Sequence, residues 1–318
     1  MMLPTELAVV IVTWNVRDLA LACLESVYQD AQSGAINVKV VVVDNASRDG
    51  TVDSIRDLFP QTTIIGSDEN LGFARGNNAG IRALGTGYEI DFPPFVLFLN
   101  PDTVVRAGAL RHLIGGMTES SAGLGGARLV YGDGSFQHSA FAFPGIVQLI
   151  LDLFPAPAFL RESRINGRYP RRLYRARRPF QVDHPLGATF MVRREVIQQT
   201  GAFDEAFHLY CEEIDWAMRI RAANWKAVCI PSAEIVHFGG QSTSQAGPQS
   251  IINLWKARLT LYRKRYNPIK AALASQIVRA GMARLIRLAQ DDLSLEMAAK
   301  AQIIDAYKQV IHLTHNRP

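Results

Sequence analysis

Short apolar runs and amphipathic stretches take turns along the first hundred residues. "AVVIVT" (8–13), "VKVVVVD" (38–44), "TTIIG" (62–66) and "PFVLFLN" (94–100) have the length and the branched or aromatic content of strands. Between them, "DLALACLESVYQ" repeats apolar residues at helical spacing (Leu19, Cys23, Leu24, Val27), and "DGTVDSIRDLF" and "FARGNNAGIRAL" continue the rhythm. Strand and helix in alternation predict an α/β fold with a mostly parallel central sheet flanked by helices. The five apolar residues Phe95 to Leu99 suit a strand buried on both faces. Pro101 has no N–H for a ladder, so that strand stops there, with Asn100 and Asp102 at its carboxyl end.

From Gly125 the rhythm is irregular. "GARLVYGDGSFQHSAF" predicts a hairpin turning at Gly132 to Gly134. Residues 154–180, rich in arginine and proline, predict a long loop or lid. "GATFMVRREVIQQTG" predicts strand then helix, "EEIDWAMRIRAANW" a helix and "KAVCI" a strand; beyond Ile251 the pattern is helical. Within 269–290, Ala274, Ile277, Val278, Met282, Leu285, Leu288 and Ala289 share one helical face, which suits core packing or a membrane surface. The expected organisation is a catalytic domain over 1–250, with halves 1–124 and 125–250, and a helical extension over 251–318.

Charge changes this picture in one place. Between Arg161 and Arg178 stand eight arginines and one glutamate, a local +7, whereas the remaining chain is nearly neutral at −2. A solvated loop and a surface for anionic lipid or phosphate both fit that run, and no nucleic-acid motif accompanies it. The three cysteines, Cys23, Cys211 and Cys229, form no CxxC and argue against a disulfide framework or structural zinc. No signal peptide and no apolar run of membrane-spanning length is visible, so the expected setting is cytoplasmic, with a peripheral place on the membrane's cytoplasmic face.

Polar residues crowd the predicted strand ends: "TWN" (Thr13 to Asn15), "DNASRDG" (Asp44 to Gly50), "ENLGFARGNN" (Glu69 to Asn78) and "NPD". One such end is commonly a helix cap, and Ser47 or Asp49 suits "TVDSI". Four in succession on the carboxyl side suit a nucleotide site, with Gly72 allowing close backbone approach and Arg75 supplying charge. GxGxxG and GxxxxGK[ST] are both absent, which disfavours dehydrogenases and P-loop NTPases.

"VVIVTWN", "VVVDNASRDGT", "NLGFARGNNAGI", "LFLNPDT", the stretch from "LGATFMV" to "CEEIDWAMRIRAANW" and "IVHFGGQST" together resemble the inverting family 2 glycosyltransferases of GT-A fold, most of all the bacterial rhamnosyltransferase-like subgroup. The resemblance implies Thr13, Asn15 and Asp44 around base and ribose, Asn70, Gly72 and Phe73 with Arg75 along the nucleotide sugar, and Asn100 in the same binding set. It implies Asp102 as ligand to Mg²⁺ or Mn²⁺ on the diphosphate, with His237 beside it. In "CEEID" it implies Glu213 as the base on the acceptor hydroxyl, preceded by Glu212, with Asp215 orienting it or touching the acceptor. Glu213 stands where an aspartate is usual, Trp14 where a tyrosine is, and "NPD" has one carboxylate. The implied donor is dTDP-rhamnose, and the acceptor a polysaccharide or polyprenyl-diphosphate-linked saccharide. A UDP- or GDP-sugar donor, a decayed nucleotide-sugar-binding protein and a nucleotidyltransferase remain alternatives.

Overall fold

The computed structural model describes residues 6–85, 92–239, 247–292, 294 and 296–315. The first half runs β1 (Leu7–Thr13), α1 (Arg17–Ser33), β2 (Val38–Asn45), α2 (Thr51–Leu58), β3 (Thr63–Ser67), α3 (Gly72–Leu84), β4 (Phe95–Leu99), β5 (Thr103–Val105) and α4 (Ala109–Glu119). Then come β6 (Leu124–Val130), β7 (Phe136–Gln137), β8 (Ala140–Phe141), α5 (Ile146–Leu153), α6 (Ala158–Arg161), α7 (Arg171–Arg175), β9 (Phe180–Val182), β10 (His184–Pro185) and β11 (Thr189–Arg193). The chain continues with α8 (Arg194–Thr200), α9 (Glu212–Ala222), β12 (Ala227–His237), α10 (Pro248–Arg265), α11 (Pro268–Asp291) and α12 (Met297–Leu313).

Ten strands form one sheet in the order β3-β2-β1-β4-β11-β6-β12-β5, with β7 beside β6 and β9 beside β12. The β3-β2-β1-β4 half is parallel and sets Thr13 opposite Asp44; β11 is antiparallel to β4, with Thr189 opposite Leu99. The short β5 pairs with the end of β12 and brings His237 opposite Thr103, next to Asp102. Alternation along the strands explains why their runs are apolar throughout. Leu7, Val9 and Ile11 pack with α1, α2 and α4, whereas Ala8, Val10 and Val12 pack with α3, α8 and α9. Phe98, Phe190, Phe203 and Trp216 meet on the second face, with centroids 4.6 to 6.4 Å apart. Each such buried ring contributes about 1.5–3 kcal/mol.

The hairpin forms as the sequence expects, with Leu129 opposite Gln137 and Val130 opposite Phe136. The arginine-rich segment is more ordered than a loop: α6, a 3-10 turn at Arg164–Asn166 and α7 succeed one another. Tyr169 and Tyr174 anchor it, the Tyr174 ring lying edge-on to Phe136 and Phe180 at 4.9 and 5.1 Å. Two tyrosines among arginines carry no periodic signal, so the sequence hides this anchor.

A third apolar cluster joins α5, α10, α11 and α12 through Leu149, Leu153, Trp255, Leu259, Tyr262, Ala274, Val278, Met282 and Val310. Most of the apolar face expected over 269–290 is therefore core, whereas Leu288 on it is exposed. At Gly281 a methyl group would stand 2.8 Å from Leu153, so glycine is what lets α5 and α11 approach. The expected limit between residues 250 and 251 falls inside α10, which begins at Pro248 because proline suits the first helical turn.

Candidate active site

A cavity of about 520 Å³ opens at the carboxyl ends of β1, β2 and β4 and is walled on its other side by residues 186–188, 208–210, 212 and 213. Parallel strands ending together are the reason several polar ends meet there. Thr13, Asn45, Asn70, Gly72, Phe73, Asn100, Asp102, Glu212, Glu213 and His237 all line it. Thr13 Oγ1, Asn45 Oδ1, Asn100 Oδ1, Glu212 Oε2 and Glu213 Oε2 are buried atoms with no hydrogen-bond partner among the described residues, as is Asp44 Oδ1 next to Asn45. Leaving a buried polar atom unsatisfied costs about 1–3 kcal/mol. Four such atoms at one set of strand ends, faced by two at the start of α9, mark a place prepared for a polar ligand.

The loops after β1 and β2 hold each other. Asn15, in the left-handed region at φ 50°, donates its backbone N–H to Ser47 Oγ and accepts from Arg48 N–H at Oδ1. Asp44 Oδ2 accepts from Ser47 N–H, leaving Oδ1 over. Asn15 thus fixes the cradle without lining the cavity. Asn70 Oδ1 accepts from Gly72 N–H, an Asx turn that starts α3. Gly72 has φ 76°, and a methyl group there would collide with the backbone and ring of His208, whose carbonyl accepts from Phe73 N–H at 2.8 Å. The close approach this glycine permits is made by the chain's own His208 segment. Arg75 points elsewhere: it is half exposed, pairs with Glu69 at 3.3 Å, and is absent from the cavity wall.

Tyr210 and Cys211 are consecutive non-glycine residues in the left-handed region, at φ 71° and 66°, immediately before α9. This kink aims the first turn of α9 at the cavity, with Glu212 and Glu213 both in the wall. Burial pushes Glu213 up to about 7, and burial together with the neighbouring Glu213 raises Glu212 well above the usual carboxylate range. A carboxyl group poised near neutrality, at a helix N-terminus that favours its ionised form, has the properties of a general base.

Asp215 does not join them. It is fully buried, its Oδ2 accepts from Arg219 Nε at 3.0 Å and its Oδ1 from Arg265 Nε at 2.5 Å, and it lies outside the cavity wall. Residues two apart on a helix face nearly opposite ways, which turns Asp215 from the cavity that Glu213 lines. Its carboxylate instead ties α9 to α10.

Asp102 and His237 are buried side by side, with Nε2 of the imidazole 3.5 Å from Oδ1 of the carboxylate. Gln137 Oε1 lies 3.1 Å from His237 Nδ1. With Nδ1–H donating to that oxygen, a neutral ring presents a lone pair at Nε2 towards the carboxylate, and two facing acceptors suit a cation between them. Among the described residues no group of three or more His, Cys, Asp or Glu could hold a metal ion by itself. Two protein donors still fit Mg²⁺ or Mn²⁺ carried on phosphates, which supply the remaining oxygens. Residues 240–243 of the "IVHFGGQST" motif lie outside the described residues.

Residues of the wall that sequence reasoning missed are Asn45, the 186–188 stretch, His208, Tyr210, Gln249 and Asn253. His208 and Tyr210 flank "CEEID" and were within reach of the motif; Gln249 and Asn253 arrive from a helix with no signal in common with it.

A cradle at the ends of a mostly parallel sheet, faced by an acid-bearing helix from the second half of the chain, is the architecture of the GT-A glycosyltransferases. Two solved structures share that fold at 14% identity: GalNAc-T7 with UDP, GalNAc and Mn²⁺ (TM-score 0.55, 74% of this chain and 43% of that one) and S. aureus TarS 1–349 (TM-score 0.51, 96% and 90%). The chain belongs to Glycosyl transferase family 2, whose pattern matches residues 8–201. It is 29% identical over 213 residues to the N-acetylglucosaminyl-diphospho-decaprenol L-rhamnosyltransferase of Mycobacterium tuberculosis, covering 65% of this chain and 69% of that protein. It is 28% identical over 189 residues to the low-salt glycan biosynthesis hexosyltransferase Agl10 of Haloferax volcanii, covering 58% of this chain and 53% of that protein. The chain is accordingly a glycosyltransferase of family 2, of rhamnosyltransferase-like type.

Proposed function

We propose that the chain transfers L-rhamnose from dTDP-rhamnose, with inversion, to a saccharide carried on a polyprenyl diphosphate. The observation that carries the reading is one cavity walled both by Asp102 with His237 and by Glu213. In this reading Thr13, Asn15, Asp44, Asn45 and Asn100 hold or frame base and ribose, and Asn70, Gly72 and Phe73 lie along the nucleotide sugar. Asp102 and His237 would hold Mg²⁺ or Mn²⁺, which when bound takes up charge as the nucleoside diphosphate leaves. Glu213 removes the proton from the acceptor hydroxyl, whose oxygen attacks the anomeric carbon on the face away from the leaving group. Glu212, raised above the carboxylate range, shares one wall with Glu213 and so discourages both from ionising together. The acceptor in the Mycobacterium tuberculosis relative's name, a decaprenol diphosphate bearing N-acetylglucosamine, supports the acceptor class. The catalytic unit of this reading runs from the first strand through at least the start of α10.

A thermal-shift screen of nucleotide sugars tests the donor. The expected result is stabilisation by dTDP-rhamnose that grows with Mn²⁺ and shrinks in Asp102→Asn. A larger shift with a UDP- or GDP-sugar moves the donor, and no shift with any of them favours a decayed site.

Membrane contact belongs to the same reading, through a different surface from the one the 269–290 pattern suggests. Val147 and Ile150 on α5, Phe159 on α6 and Ile165 in the 3-10 turn are exposed, and α5 and α6 both pack on that turn. Glu162, the one acid between Arg161 and Arg178, is shared by His138, Arg168 and Arg171, and the local +7 remains after it is counted. Among the described residues no helix is long and apolar enough to cross a membrane. A peripheral site on the cytoplasmic face fits both facts. The protein is expected to co-sediment with phosphatidylglycerol vesicles at low salt and to release at high salt; no sedimentation at low salt ends this idea.

A further inference from the structure

Helix α10 starts well beyond the family match, which ends at residue 201. Even so, Gln249 and Asn253 on its first turns line the same cavity as Glu213. They are four residues apart, hence on one helical face, and Gln249 Nε2 donates to Asn253 Oδ1 at 3.0 Å. We propose that this amide pair is the element that recognises the acceptor sugar, binding its neutral hydroxyl or acetamido groups beside Glu213. The proposal rests on the reading of Glu213 as the base of a glycosyl transfer.

The chemistry of the pair fits a neutral saccharide. Each amide carries two N–H donors and one carbonyl acceptor, and the bond between them uses one hydrogen and one oxygen. Three N–H hydrogens and the Gln249 carbonyl stay available, a mixed set that matches hydroxyls and an acetamido group, which also donate and accept. A phosphate, which only accepts and carries charge, calls instead for arginine or lysine. The strand-end wall already holds the unsatisfied carboxylate and amide oxygens assigned to the nucleotide sugar.

Position supports the same conclusion. Helix α10 packs against the start of α9 through Phe207, Cys211, Ala257 and Leu261. At its far end Arg265 pairs with Asp215 inside α9, and Lys264 pairs with Asp204 in the segment leading to α9. The amides and Glu213 are therefore held in one frame by apolar packing and two ion pairs, as a recognition element must be. Gln249 itself is exposed, and its helix is secured by the buried residues Trp255, Leu259 and Tyr262, so the fold does not depend on the amides.

The test is steady-state kinetics of wild type, Gln249→Ala, Asn253→Ala and the double variant. The probes are dTDP-rhamnose with N-acetylglucosaminyl diphosphate on a short prenyl chain, and each variant's melting temperature is recorded with dTDP. Each single change is expected to raise the acceptor KM about tenfold, the loss of roughly one neutral hydrogen bond. The double change should exceed either single, with the donor KM within about twofold of wild type if each neutral contact is separate. An unchanged acceptor KM, or a donor KM that rises in parallel, overturns the proposal. A wild-type chain that releases no nucleotide with this acceptor overturns the transferase reading, and the amide proposal with it.

Discussion

Glu213→Gln is expected to lower turnover by about 10²–10⁴-fold, the usual worth of a positioned general base. The amide keeps the shape of the carboxylate and its place in the cavity wall, and it cannot accept a proton. Burial raises Glu213 to about 7, so activity of the wild-type chain is expected to rise with pH through that value as the carboxylate forms. The variant should lose that limb of the profile. Stability supplies a second readout. A carboxyl group whose folded value lies above its ordinary 4.5 favours the folded state while protonated, and that contribution fades as pH rises through about 7. Glu213→Gln, neutral at every pH, is therefore expected to melt higher than wild type above pH 7 and alike below about 4.5. Near-normal turnover in this variant would sink the base assignment and turn attention to Glu212.

Arg265→Ala is expected to destabilise the fold by about 3 kcal/mol, the lower end for breaking a buried ion pair. Asp215 has no exposed surface, and the change strips one of its two partners while Arg219 stays in place. Activity should fall with stability because Asp215 sits one turn into α9, the helix that carries Glu213. Urea unfolding measures the first effect and kcat the second. A loss below about 1 kcal/mol for Arg265→Ala would class the contact with exposed ion pairs and remove its positioning role.

How much of the site the chain reveals by itself depends on the range of the signal. The end of β4 was legible because Pro101 stops a ladder wherever it occurs, and Asn100 and Asp102 must then follow the strand. Glu212 and Glu213 were legible as a pair at a helix start, and the structure sets both in the cavity wall with Asp102. Asp215 lies away from the cavity wall, as helix geometry at about 100° per residue separates it from Glu213. Arg75, on α3 two residues beyond Phe73, which lines the cavity, is paired with Glu69.

The sequence by itself determined strands β1 to β4, the helices that alternate with them and the polar residues at those strand ends. Each of these follows from period, proline and glycine within a dozen residues. Tertiary structure alone decided that His208 fills the space over Gly72, that Tyr174 anchors the arginine-rich segment, and that the apolar face of α11 meets α5 and α12. It also decided that α10 brings Gln249 and Asn253 to a cavity begun by Thr13. Those pairings join residues from separate elements, and what selects them is the burial of complementary surfaces, a property of two segments together that neither segment's own pattern contains.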